Sequence, residues 1–126
     1  MLLTFIQAVA RQEGWGVAGD IPTRDNNPGD IEMGALAERD GAIGVDARNP
    51  RFARFATAEA GFAALRDLLN HGRGDDGKPL YLGKTVHDAL NTYAPPVEND
   101  TSAYEANVCE WSGMSPATVL TAENIG

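Results

Sequence analysis

Gln12-Glu13-Gly14 closes an amphipathic run in which Phe5, Ile6, Val9 and Ala10 recur at helical spacing. The pattern predicts a helix that ends on a glutamate, followed by a glycine able to take the positive φ that stops it. A carboxylate there meets the partial negative charge of the helix C-terminus, at a cost of roughly 0.3–1 kcal/mol, and the same field favours its protonated form. If Trp15 and the apolar helix face also remove water from it, Glu13 can hold a proton near neutral pH, as a general acid must. On spacing alone, a solvated helix-end glutamate is the plainer reading.

The segment after it crowds Gly14, Gly16, Gly19, Pro22, Asn26, Asn27, Pro28 and Gly29 together, which reads as loop. A loop of that length in a small domain is usually functional or disordered. Asn26-Asn27-Pro28-Gly29-Asp30 argues for order. Pro28 and Gly29 suit the central positions of a type II turn, and asparagine side chains bond nearby backbone. A well-made turn without chemistry and a ligand-contacting loop account for it equally.

Other reactive side chains point to no site. Cys109 is the single cysteine, which excludes an internal disulfide and a cysteine-based metal centre. It falls on a predicted helix and reads as a buried, inert thiol. His71 and His87 are too isolated to suggest a metal site and read as surface or cap residues. Asp75 and Asp76 are adjacent, but the ligand spacing of an EF-hand is absent, so a solvated turn is expected. Neither a metal nor a cofactor is expected.

The elements that would position Glu13 follow from patterning. With 126 residues, of which 43% are hydrophobic and 22% charged, the chain suits one domain over 1–126. Short apolar pieces at Ile31-Glu32-Met33, Ala42-Ile43-Gly44-Val45 and Phe52-Ala53-Arg54-Phe55 suggest a small antiparallel sheet or hairpin. Thr57 caps a helix to about Asn70, with Phe62, Leu65, Leu68 and Leu69 inward. After a loop at 73–84, Thr85 starts a helix carrying Val86, Ala89, Leu90 and Tyr93 and stopped by Pro95-Pro96. Ser102 and Glu105 have capping-box spacing for a helix ended by Gly113, and Ser115-Pro116 opens a last short helix.

Net charge of −8 and a pI near 4.5 argue against duplex nucleic acid as partner, because no excess of cations exists to neutralise a run of phosphates. Arg11, Arg24, Arg39, Arg48, Arg51 and Arg54 are concentrated in the first half and allow a local positive rim. No segment approaches the roughly 18 apolar residues of a membrane span. The apolar start lacks a basic leader region and a small-residue cleavage site, so no signal peptide is expected and any export takes another route.

Taken together, Gln12-Glu13-Gly14, Arg24-Asp25-Asn26-Asn27-Pro28-Gly29-Asp30-Ile31, Gly61-Phe62-Ala63-Ala64-Leu65 and Tyr93-Ala94-Pro95-Pro96 with Glu98-Asn99-Asp100-Thr101 and Tyr104 resemble small lysozyme-like proteins of phages and bacteria. Some of these are labelled phage structural proteins. The resemblance covers nearly the whole chain. It implies an α+β, mainly α, lysozyme-like fold with a small antiparallel β element. Glu13 would be the acid, and the Asn26-to-Gly29 loop and the Tyr93 segment would wall a saccharide cleft. Trp15, Asn26, Asn27, Gly29, Glu32, Tyr93 and Glu98 are then the expected substrate contacts, with Glu13 and Tyr93 meeting across one cleft. Asp30 stands where the related loop often has asparagine.

The resemblance implies a muramidase acting on the N-acetylmuramyl to N-acetylglucosamine bond, with Glu13 protonating the leaving oxygen. Asp30 is the first candidate for a base or electrostatic stabiliser, and Glu32 the second. Without a second carboxylate facing Glu13, a lytic transglycosylase route is preferred. A catalytically silent virion or glycan-binding module is the alternative from another class. The partner expected is peptidoglycan glycan strands, met by a monomer. The setting expected is the bacterial cytoplasm until release, or a phage virion or the periplasm reached by another route.

Overall fold

A computed structural model describes residues 1–126. The chain is mainly helical with one small antiparallel sheet, an α+β arrangement as expected. Its backbone divides into two compact units, Val9–Leu68 and Met1–Ala8 with Leu69–Gly126. The boundaries fall inside two helices, α1 (Phe5–Glu13) and α4 (Ala58–His71).

Within Val9–Leu68 the elements are the end of α1, α2 (Ile21–Arg24), α3 (Ala35–Arg39), β1 (Gly44–Val45), β2 (Ala53–Arg54) and most of α4. The strands pair antiparallel, Gly44 opposite Arg54 and Val45 opposite Ala53. The third apolar piece joins them at one bridge between Glu32 and Phe52. The Met33 N–H bonds the Arg51 carbonyl at 2.8 Å, and the Ala53 N–H bonds the Ile31 carbonyl at 2.9 Å. The period-two pattern read over 52–55 is real: Ala53 and Phe55 are buried and Arg54 is exposed. With Val9, Ala10, Ile31, Ala37, Ala64 and Leu65 they form the apolar interior of this unit.

Two short helices depart from expectation. The segment read as continuous loop contains α2, with Pro22 in its first turn, where a fixed φ and a missing N–H do no harm. The five-residue α3 follows the 31–33 piece. One turn of helix leaves no repeating apolar stripe, which is why periodicity passed over both. By contrast α4 begins where expected, with Thr57 Oγ1 accepting the Ala60 N–H at 3.1 Å.

In the other unit, α5 (Val86–Tyr93) packs against α6 (Thr101–Ser112). Thr85 caps α5 as expected, its Oγ1 accepting the Asp88 N–H at 3.1 Å. The start of α6 is a correction: Asp100, not Ser102, is the N-cap, accepting the Ala103 N–H at 3.1 Å. Thr101 Oγ1 donates to the Ala94 carbonyl at 2.5 Å and anchors that end, which moves the helix start ahead of Ser102. Gly113 closes α6 at φ 73°, as expected. The last helix is α7 (Ala122–Ile125), boxed by Thr121 and Asn124, and Ser115-Pro116 forms a turn instead. Ser115 Oγ accepts the Ala117 N–H at 3.2 Å, so its side chain serves a tight turn rather than a helix cap. Phe5, Ile6, Ala8, Leu69, Val86, Ala89, Leu90, Tyr104, Val108, Leu120 and Ile125 are buried here. No helix is long and apolar enough to cross a membrane.

Candidate active site

Glu13 is the last residue of α1 and is half-buried. The chain turns sharply after it at Gly14, φ 113°, where a Cβ would lie 2.7 Å from Asp20 Oδ2. Only glycine fits there. The Trp15 N–H reaches back to the Ala10 carbonyl at 2.9 Å, and the indole meets Phe62 of α4 edge-on, ring centres 5.2 Å apart. Thr23 of α2 ties down the segment between, accepting the Gly16 N–H at 2.9 Å and donating to the Gly14 carbonyl at 3.3 Å.

The Asn26-to-Asp30 loop is ordered by its own side chains. A turn closes where expected, with the Asp30 N–H on the Asn27 carbonyl at 3.1 Å, but Gly29 does not take the positive φ of the type II turn read from the sequence; the left-handed residues are Asn26 and Asp30 on either side. Asn27 is 0% exposed. Its Nδ2 donates to the Ile31 and Ala53 carbonyls, and its Oδ1 accepts the Ile31 N–H, each at 2.9 Å. The amide therefore braces the loop and has nothing left for a ligand, which corrects its expected role as a saccharide contact. Gly29 is buried as well. Asn26 stays partly open, its Nδ2 donating to the Phe55 and Ala56 carbonyls at 3.1 and 3.3 Å. Asn26 and Asp30 both adopt left-handed backbone, φ 51° and 49°, a conformation to which asparagine and aspartate are better suited than most residues.

That backbone brings the Asp30 carboxyl into hydrogen-bonding contact with Glu13. Burial first, then the Glu13 hydrogen bond, then the charges of Glu13, Asp20 and Asp25 push Asp30 up to about 8. Its Oδ1 is enclosed without a partner. Two carboxyls in contact do not both ionise readily, so the pair keeps one proton through neutral pH, carried on Asp30. A retained proton beside a second carboxylate is the equipment of acid–base catalysis.

A second acidic cluster in the same unit escaped sequence reading. Asp46 is 2% exposed and takes Arg24 Nε and Nη2 at 2.8 Å each, with the Arg48 and Asn49 N–H groups at 3.0 and 2.8 Å. The Arg24 fork, above all, holds its carboxyl well below the usual carboxylate range. Asp25, at the C-cap of α2, contacts Asp46 and is pushed up to about 6, by burial first and Asp46 second. The only local signal was an aspartate opening a turn at 46–49. Its cation stands 22 positions earlier, beyond any motif.

Glu32 is exposed and paired with Arg51. Tyr93 ends α5 as expected, its ring 5.7 Å from that of Tyr81, and Glu98 is exposed in the following turn. Both belong to the unit that lacks Glu13 and Asp30. Arg24, Arg39 and Arg51 are each engaged by a carboxylate, Asp46, Asp67 and Glu32 respectively. Cys109 is half-buried rather than buried, and burial followed by the charge of Glu105 pushes its thiol up. No group of three or more His, Cys, Asp or Glu side chains is arranged to hold a metal ion. No protein-family model and no curated protein matches the sequence.

Proposed function

We propose that this chain cleaves the N-acetylmuramyl to N-acetylglucosamine bond of peptidoglycan, using Glu13 and Asp30 as one proton-sharing unit. The observation that carries this reading is the contact between the two carboxyls, one of them buried enough to stay protonated, at the end of a helix. The shared proton passes through Glu13 to the leaving oxygen. The pair, now fully charged, is then ready to act as base.

A second carboxyl does face Glu13, which on the sequence criterion points to hydrolysis, but its direct contact with Glu13, rather than a place opposite it, favours the transglycosylase course. Glycosidases with opposed carboxyls hold them about 5–5.5 Å apart when retaining and about 6.5–9.5 Å apart when inverting, so that nucleophile and acid flank the sugar. Carboxyls in direct hydrogen bond lie on one side of the bond and leave the far side to another nucleophile. The 6-hydroxyl of the muramyl residue supplies it: its oxygen bonds to C1, its proton returns to the Glu13–Asp30 pair, and the ring closes without water. Trp15 and Asn26 are the saccharide contacts retained in this proposal, because both keep some exposed surface on the chain segments that carry Glu13 and Asp30.

The test is to incubate the protein with purified peptidoglycan and weigh the soluble products by mass spectrometry. A 1,6-anhydro end, one water lighter, is the expected product. A reducing muramic acid end would replace the transglycosylase course with muramidase action. Sugar binding without any soluble product would leave a silent glycan-binding module.

A further inference from the structure

Three carboxyl-to-carboxyl contacts tie together segments of the Val9–Leu68 unit: Asp30 with Glu13, Asp25 with Asp46, and Asp40 with Asp67. In each, one aspartate has an oxygen enclosed with no hydrogen-bond partner: Asp30 Oδ1, Asp25 Oδ2 and Asp40 Oδ2. Two ionised carboxylates have no proton to share, so such a contact requires one neutral carboxyl that donates its O–H. An enclosed, unpartnered oxygen is also far easier to tolerate on a neutral acid than on an anion.

The surrounding charges fit that division of roles. Arg24 forks onto Asp46, and Arg39 Nη2 lies 2.7 Å from Asp67 Oδ2, so in two of the contacts the guanidinium is on the partner that must stay ionised. Arg39 Nε is only 3.9 Å from Asp40 Oδ1, a weaker approach. Asp25 also faces the charges of Arg24 and Arg54. The charges that act most on Asp30 are acidic: Glu13 on α1, Asp20 ahead of α2, and Asp25.

We propose that the Val9–Leu68 unit is held by proton clasps, closed in mildly acidic surroundings and released in alkaline ones. This inference does not depend on the glycosidase reading, since two of its three contacts involve no residue of the proposed site. Asp25 and Asp40 are pushed up to about 6 and Asp30 to about 8, each with burial as the first cause. A group raised in the folded state stabilises it fully below its unfolded value, and that stabilisation is lost as pH rises through the folded value. Asp46 works oppositely: held low, it stabilises above the ordinary carboxylate range and ceases to as pH falls. Between them the unit is firmest in mild acid and weakens from about pH 5 to about pH 8.

Hydrogen exchange on the full chain, read by mass spectrometry at pH 5 and pH 8 and corrected for intrinsic exchange, tests this. Protection in peptides from 9–68 is expected to fall at least about tenfold on going to pH 8, the linkage expected from a single carboxyl raised to about 6. His71 and His87 lie outside these peptides. Equal or greater protection at pH 8 would overturn the proposal. Asp40→Asn places a permanently neutral donor in the contact, so its melting temperature should drop by several degrees less than wild type between pH 5 and pH 8. The same holds for Asp25→Asn. A wild-type pH dependence in both variants would also overturn it, and the exchange measurement decides alone if neither variant folds.

Discussion

Gly61 of α4 lies so close to the backbone of Asn26 that a single added Cβ would stand 1.8 Å from the Asn26 carbonyl oxygen and 2.8 Å from Pro28 Cδ. The helix and the loop that carries Asp30 meet through that missing side chain. Gly61→Ala must force them apart, and overpacking of this kind typically costs about 1–3 kcal/mol, occasionally more. We expect a loss of about 3 kcal/mol in urea unfolding, with peptidoglycan turnover lost in parallel because the Asp30 carboxyl moves. An alanine variant as stable as wild type would show that this contact is loose in solution.

Asn27→Ala should be destabilising for a different reason. It leaves the Ile31 and Ala53 carbonyls and the Ile31 N–H without their side-chain partner. The Ile31 carbonyl keeps the Ala53 N–H, so at most the other two groups are orphaned; at about 1–3 kcal/mol each, a total near 3 kcal/mol is expected from thermal or urea melts. Asn26→Ala, at a partly open position, should cost clearly less. Equal effects at the two positions would remove the distinction drawn between them.

Glu13→Gln keeps the shape of the side chain and cannot deliver a proton. Turnover on peptidoglycan should fall by about 10²–10⁴-fold, the usual worth of general acid catalysis. Melting temperature should hold or rise slightly, because a carboxylate at a helix C-terminus opposes the helix by roughly 0.3–1 kcal/mol. A folded variant with wild-type turnover would move the search to Asp30 and Glu32.

The pair also sets a pH profile. Because Asp30 is pushed up to about 8, its proton leaves as pH rises through that value, and wild-type turnover should decline above about pH 8. Asp30→Asn holds no such proton: it should turn over slowly at all pH values, lose the alkaline limb, and be more stable than wild type at pH 9 relative to pH 5. Wild-type activity that stays level from pH 7 to about pH 9.5 would count against a shared proton.

Much of this protein is written locally in its sequence. The helical spacing of Phe5, Ile6, Val9 and Ala10, the Thr57 and Thr85 caps, the turn at Pro28-Gly29 and the stops at Gly14 and Gly113 depend on neighbours within a few positions, so the residues alone specified them. Alternation over 52–55 likewise announced which side chains face inward. The chemistry was legible only in part: Glu13 could be singled out from its place at a helix end, and Asp30 from a family resemblance. That their carboxyls touch, that Asn27 is wholly consumed by backbone, and that Asp46 is buried under the Arg24 fork were decided by tertiary structure. Burial and charge pairing join residues distant along the chain, and a carboxyl's proton affinity is set by those partners and by exclusion of water, neither of which is a property of sequence spacing.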